Sequence, residues 1–83
     1  MYCNYDYYAV KEEILKKGEW LESWTNFQDA EDADCFFSDL IDDAKNDKTK
    51  VCQIELLGFY HYYGDYDLRS DSLAFFTQGV QDD

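Results

Sequence analysis

The sequence predicts a small α+β domain, with a helix-rich first half and a C-terminal aromatic strand or hairpin packed against an acidic helix. Three observations carry this reading. Residues 30 to 45 repeat apolar side chains at helical spacing, residues 51 to 63 alternate at period two, and 46% hydrophobic with 19% aromatic residues is too apolar a composition for a disordered chain. An all-α bundle is the alternative. At 83 residues one domain, 1–83, is expected. A chain of that size buries only about 60–65% of its unfolded surface, little from which to build a deep catalytic cleft. There is no proline and no Gly/Ser-rich linker or repeat.

Taking the elements in order, Tyr7 to Lys17 places Tyr7, Val10 and Ile14 at helical spacing beside Leu15, with Gly18 where a C′ glycine ends a helix. This predicts a first helix. In the following GEWLESWTNF, Trp20, Leu21 and Trp24 fall at i, i+1 and i+4 and fit one helical turn packed on the core, although the form of the segment stays open. Burying one such large side chain contributes about 1.5–3 kcal/mol, so core anchoring is the first role for these residues.

The best-defined element is a helix from Ala30 to Lys45. Asp29 is its N-cap, and Glu31 and Asp32 lie in the first turn, where carboxylates favour the helix dipole. Ala33, Phe36, Phe37, Leu40, Ile41 and Ala44 form its apolar stripe. The opposite face carries Glu31, Asp32, Asp34, Asp39, Asp42 and Asp43, with no basic residue before Lys45. Like charges three or four residues apart cost a few tenths of a kcal/mol per pair, so stability alone would have placed lysines here.

NDKTK, residues 46 to 50, reads as a loop. Val51 to Tyr63 then sorts at period two, with Cys52, Ile54, Leu56, Gly58, Tyr60 and Tyr62 on one side and Gln53, Glu55 and His61 on the other. Gly58 is expected to mark a bulge. After a turn at Gly64-Asp65-Tyr66-Asp67, Leu68 to Thr77 either returns as a second strand or forms a short helix capped by Ser70 and ended by Gly79. A lone strand cannot satisfy its backbone, so its partner is sought in Leu68–Thr77 or in Met1–Tyr8.

The chemistry-bearing residues exclude more than they suggest. Cys3, Cys35 and Cys52 are odd in number and widely spaced, which fits free thiols in a reducing compartment. They and His61 stand singly, without the close pairs that zinc needs. Asp65-Tyr66-Asp67 opens like a calcium loop, but the sixth position is Ser70 instead of glycine and the twelfth is Phe76 instead of a bidentate glutamate. No nucleophile turn or phosphate loop accompanies His61 or the four glycines. No enzymatic activity, cofactor or metal is therefore expected. The absence of a long apolar run and of a basic leader predicts a cytoplasmic protein without a membrane span.

Charge is the functional signal. Nineteen acidic against seven basic residues give −12, beyond the magnitude of about 2–8 that keeps a small domain soluble. Direct nucleic-acid binding is excluded, because it rests on clustered Lys and Arg. A basic surface on a nucleic-acid-binding protein is the complementary partner. Glu31, Asp32, Asp34, Asp39, Asp42 and Asp43, with Asp65 and Asp67 in the later turn, are the candidate partner-binding residues; Trp24, Tyr60 and Tyr62 are candidate aromatic anchors that phosphates cannot supply. A generic acidic interaction module, such as an adaptor, antitoxin or phage accessory protein held by exposed aromatics, is the alternative.

In its size, its charge, its lack of proline, its eight tyrosines and the stretch DAEDADCFFSDLIDD at residues 29 to 43, the chain resembles the small acidic DNA-mimic inhibitors encoded by phages and mobile elements, which include anti-CRISPR and anti-restriction proteins. The resemblance implies a stoichiometric inhibitor, an anti-CRISPR protein above all, occupying the nucleic-acid-binding or PAM-reading surface of a defence complex such as a CRISPR effector in the host bacterial cytoplasm. Members of that class share no one fold, and no motif carries a functional residue over.

Overall fold

The computed structural model describes residues 5–61 and 67–79. β1 (Tyr7–Lys16) and β2 (Glu19–Phe27) form a hairpin, α1 (Ala30–Asn46) crosses over, and β3 (Cys52–His61) and β4 (Leu68–Gln78) form a second antiparallel pair. The strands make one sheet in the order β2-β1-β3-β4. β2 and β3 both run antiparallel to β1, hence parallel to each other. A connection between parallel strands must travel back along the sheet, and α1 makes that crossing.

The expected helix-rich first half is overturned, and so is the all-α alternative: the protein is mostly a four-stranded antiparallel sheet, with 57% of the described residues in strand against 24% in helix. The reason lies in β1. Tyr8, Val10 and Ile14 face α1 while Tyr7, Ala9 and Leu15 face the other way, so a strand apolar on both sides imitates a helical stripe. The connection decides the matter: Lys17 and Gly18 both have positive φ, 52° and 80°, between the opposed pair Lys16 and Glu19. That is a two-residue hairpin turn whose twist suits the strands, so Gly18 closes a hairpin and ends no helix. Nor does the second segment bury its tryptophans, for Trp20 and Trp24 stay 42% and 48% exposed on β2.

Lys17 carries a side chain in the left-handed region, which costs roughly 1 kcal/mol. Lys17→Asn is expected to raise stability by about 0.5–1 kcal/mol in urea unfolding, since Asn-Gly is the favoured pair for this turn. Unchanged or lower stability would contradict the turn assignment.

α1 lies where the apolar spacing places it. The Asp29 carboxylate accepts a hydrogen bond from the Glu31 amide at 3.1 Å, and Lys45 occupies the last turn. Ala33, Phe37 and Ala44 are buried against Tyr8, Val10, Cys52, Ile54 and Leu56, with Phe36, Leu40 and Ile41 packed around them. At the far end of the helix, the Gln78 side-chain amide donates to the carbonyls of Ala44, Asp47 and Lys50 at 2.7, 3.0 and 3.0 Å. Its two hydrogens are shared among three acceptors, and they tie β4 to the loop that re-enters the sheet.

Residues 68–78 are strand, which removes the helix capped by Ser70. The bulge is not at Gly58. The β3–β4 register shifts between Leu56 and Leu57, where Leu73 of β4 is the extra residue. Gly58 serves a different need: the Tyr5 ring lies over it, and a Cβ there would stand 2.6 Å from that ring. An aromatic ring covering a strand glycine restores the packing the missing side chain gives up.

Candidate functional site

The helix has two faces because its apolar stripe is spent on the sheet. Glu31, Asp32, Asp34, Asp39, Asp42 and Asp43 are all exposed on the side away from it, with Cys35 and Ser38 among them. Asp29 and Asp47 extend the row at the two caps. From Asp29 to Asp47 the axis covers about 27 Å at about 1.5 Å per residue. One DNA strand presents a phosphate about every 3.4 Å, or about eight over that length. The helix and its caps carry eight carboxylates, the line density of a single phosphate backbone.

Five of the seven basic residues are gathered at one end, while Lys11 lies mid-strand on β1 and Arg69, opposite Tyr60 on β4, lies at the other. Lys16 and Lys17 sit at the hairpin tip, and Lys45, Lys48 and Lys50 at the end of α1 and its following loop, beside the Ile14–Cys52 end of the sheet. Asp6, Asp29, Glu31, Asp32, Asp67 and Asp71 belong to the opposite end of a molecule 45 Å long. Such polarity orients an encounter as well as strengthening it. Uncompensated charge also strains the fold, so raising salt from about 0.01 to about 0.15 M, which shortens the screening length from about 30 to about 8 Å, is expected to raise the thermal midpoint. A midpoint that falls with added salt would show that ion pairs outweigh repulsion.

The sheet's second face has no helix on it among the described residues. Tyr7 stacks on Phe59 at 4.8 Å, Trp24 approaches Phe59 at 6.4 Å, and Phe75 of β4 is 58% exposed. Lys11 stands opposite Trp24 on the neighbouring strand, 5.6 Å over its ring, with its ammonium 3.4 Å from both Glu13 and Glu22. Partial burial opposes the charged lysine, but hydrogen bonds to Glu22 and Glu13 outweigh it and raise its pKa.

Of the residues singled out in the sequence, the six helix carboxylates are all exposed and spread around the outer half of α1, Asp34 and Asp43 standing on opposite flanks nine residues apart. Asp67 is exposed at the start of β4, near the helix N-terminal end, while Asp65 and Tyr62 lie outside the described residues. The proposed anchors are not brought together. Trp24 belongs to the open face, whereas Tyr60 is half-buried on the helix side, edge-on to Tyr5 at 5.7 Å. Tyr5 also meets Tyr8 at 5.7 Å and donates its hydroxyl to Asp71 at 2.8 Å, a hydrogen bond that raises the phenol pKa.

The half-buried Tyr7 and Phe59 and the exposed Phe75 were missed as members of the open face because their placement follows from strand parity, which the helical reading of β1 concealed. Cys35 is exposed and Cys52 buried, burial pushing its thiol upward. Among the described residues no group of three His, Cys, Asp or Glu side chains is placed to hold a metal ion, and no helix is long and apolar enough to cross a membrane. No protein family, curated protein or solved structure matches this chain.

Proposed function

We propose that this protein is a stoichiometric inhibitor which lays the acidic face of α1 into a basic, nucleic-acid-binding surface of a bacterial defence complex, as an anti-CRISPR protein does to an effector in the bacterial cytoplasm. The observation that carries the reading is the row of eight carboxylates from Asp29 to Asp47, exposed and set at the charge density of one phosphate strand. Rigidity is the second part of the argument. Phe37, Ala33 and Ala44 fix the helix on the sheet, so the carboxylates are held in place before binding and little ordering entropy is lost on association. The test is capture from bacterial lysate with tagged protein at low and high salt. The reading expects a nucleic-acid-binding complex that duplex DNA or salt displaces; a partner that resists both would refute it.

The open aromatic face favours a second reading, an interaction module anchored by Trp24, Phe59 and Tyr7. That reading expects partner affinity to be indifferent to salt and lost on Trp24→Ala.

A further inference from the structure

We propose that β2 is a docking edge for an extended, basic segment of a partner protein, which adds to the sheet as a fifth strand. Among the described residues β2 is an outer strand of nine residues whose register with β1 runs unbroken from Tyr8–Phe27 to Lys16–Glu19. Seven of the nine, all but Thr25 and Phe27, are exposed. An outer strand leaves alternate backbone N–H and C=O groups unpaired along its free side, a template that proteins ordinarily blunt with lysine, proline or a bulge. β2 has none of these, whereas β4 at the other edge is interrupted by the bulge at Leu73.

The chemistry of the occupant follows from what lines the edge. Glu19 and Glu22 are the only charges on β2, in a chain of net −12, so an acidic strand or a second copy is repelled and a basic one attracted. Lys11 already shows the contact an incoming strand would make. From the position directly opposite Trp24 on β1 it reaches Glu22 and the Trp24 ring together. A Lys or Arg opposite Trp24 on the free side repeats that arrangement in mirror position, while Trp20 and Leu21, on opposite faces of the strand, offer apolar cover to its neighbours. The edge shares no residue with the carboxylate row of α1, so this inference stands whether or not that helix is a nucleic-acid mimic.

The test uses the full chain, labelled for NMR hydrogen exchange, with a capped nine-residue peptide alternating lysine and valine. Protection of every second β2 amide is expected to rise at least tenfold, and Glu22→Gln or Trp24→Ala to reduce that rise, with thermal melts checking that each variant folds. The same peptide with its backbone amides N-methylated, and one alternating glutamate and valine, are expected to leave β2 unchanged. An equal effect from the N-methylated peptide, changes confined to α1, or no added β2 protection at millimolar peptide would overturn the proposal. So would β2 protection without peptide in a chain that sediments as a dimer, since the edge would then belong to a second copy.

Discussion

Changing Asp39, Asp42 and Asp43 together to lysine is expected to weaken partner binding at least 100-fold while leaving the fold intact. All three are exposed on the outer face of α1. Each reversal removes an attraction and sets a like charge against a basic surface, and juxtaposed like charges at an interface cost several kcal/mol, where about 2.8 kcal/mol is already 100-fold. The fold gains from the same change. The three positions repel one another as lysines much as they do as aspartates, but the net charge falls from −12 to about −6, and lysines toward the C-terminal end of a helix suit its dipole. A thermal midpoint equal to or above that of the parent, together with lost binding in a titration by calorimetry, is the expected pair of results. Retained affinity would remove the helix face as the site.

Phe37→Ala is expected to cost about 3–5 kcal/mol, the range for emptying a buried aromatic site. Phe37 is the largest buried side chain that α1 sends onto the sheet, among Val10, Ile54 and Leu56. A domain of this size commonly has about 5–10 kcal/mol in total and loses roughly 4–8 °C per kcal/mol, so the midpoint should fall by at least about 12 °C. The functional consequence is as large as the structural one, because a helix released from the sheet no longer holds its carboxylates in a row. A loss under about 1 kcal/mol in urea unfolding would mean that the helix is held by something other than this contact.

The sequence was legible where one face of an element is apolar and the other polar. α1 satisfies that condition, with Ala33, Phe37 and Ala44 inside and Asp39, Asp42 and Asp43 outside, and its N-cap at Asp29 is a local signal that needs no tertiary context. β3 satisfies it for four residues, with Cys52, Ile54, Leu56 and Gly58 buried in alternation. β1 and β2 do not. Their second face is covered with Tyr7, Leu15, Trp20 and Trp24, and only the pairing of the two strands tells which side chains share a face. Lys17-Gly18 carried the decisive information, but a glycine after a lysine run fits a helix end as well as a hairpin turn until the strands on each side are known. The roles of Gln78 and Tyr5 were hidden for another reason. Both act across sequence separations of 28 to 66 residues, beyond any local pattern.

The same division applies to the site. The carboxylate row could be counted from the sequence because it lies on one helix, whereas the aromatic face is assembled from all four strands and exists only once their order β2-β1-β3-β4 is fixed. The result is a two-sided molecule, with a charged helix outward on one side and an aromatic sheet face on the other. Lys11 is the point where cation and aromatic chemistry meet on the sheet side.

The most direct test is a competition on the captured complex, following a labelled DNA duplex by fluorescence anisotropy as the protein is added at fixed salt. If α1 occupies the nucleic-acid surface, bound duplex is released in proportion to added protein and fully by one equivalent per site, and the Asp39, Asp42 and Asp43 triple variant releases none. Duplex that stays bound while the protein also binds would place the contact elsewhere and contradict the central claim.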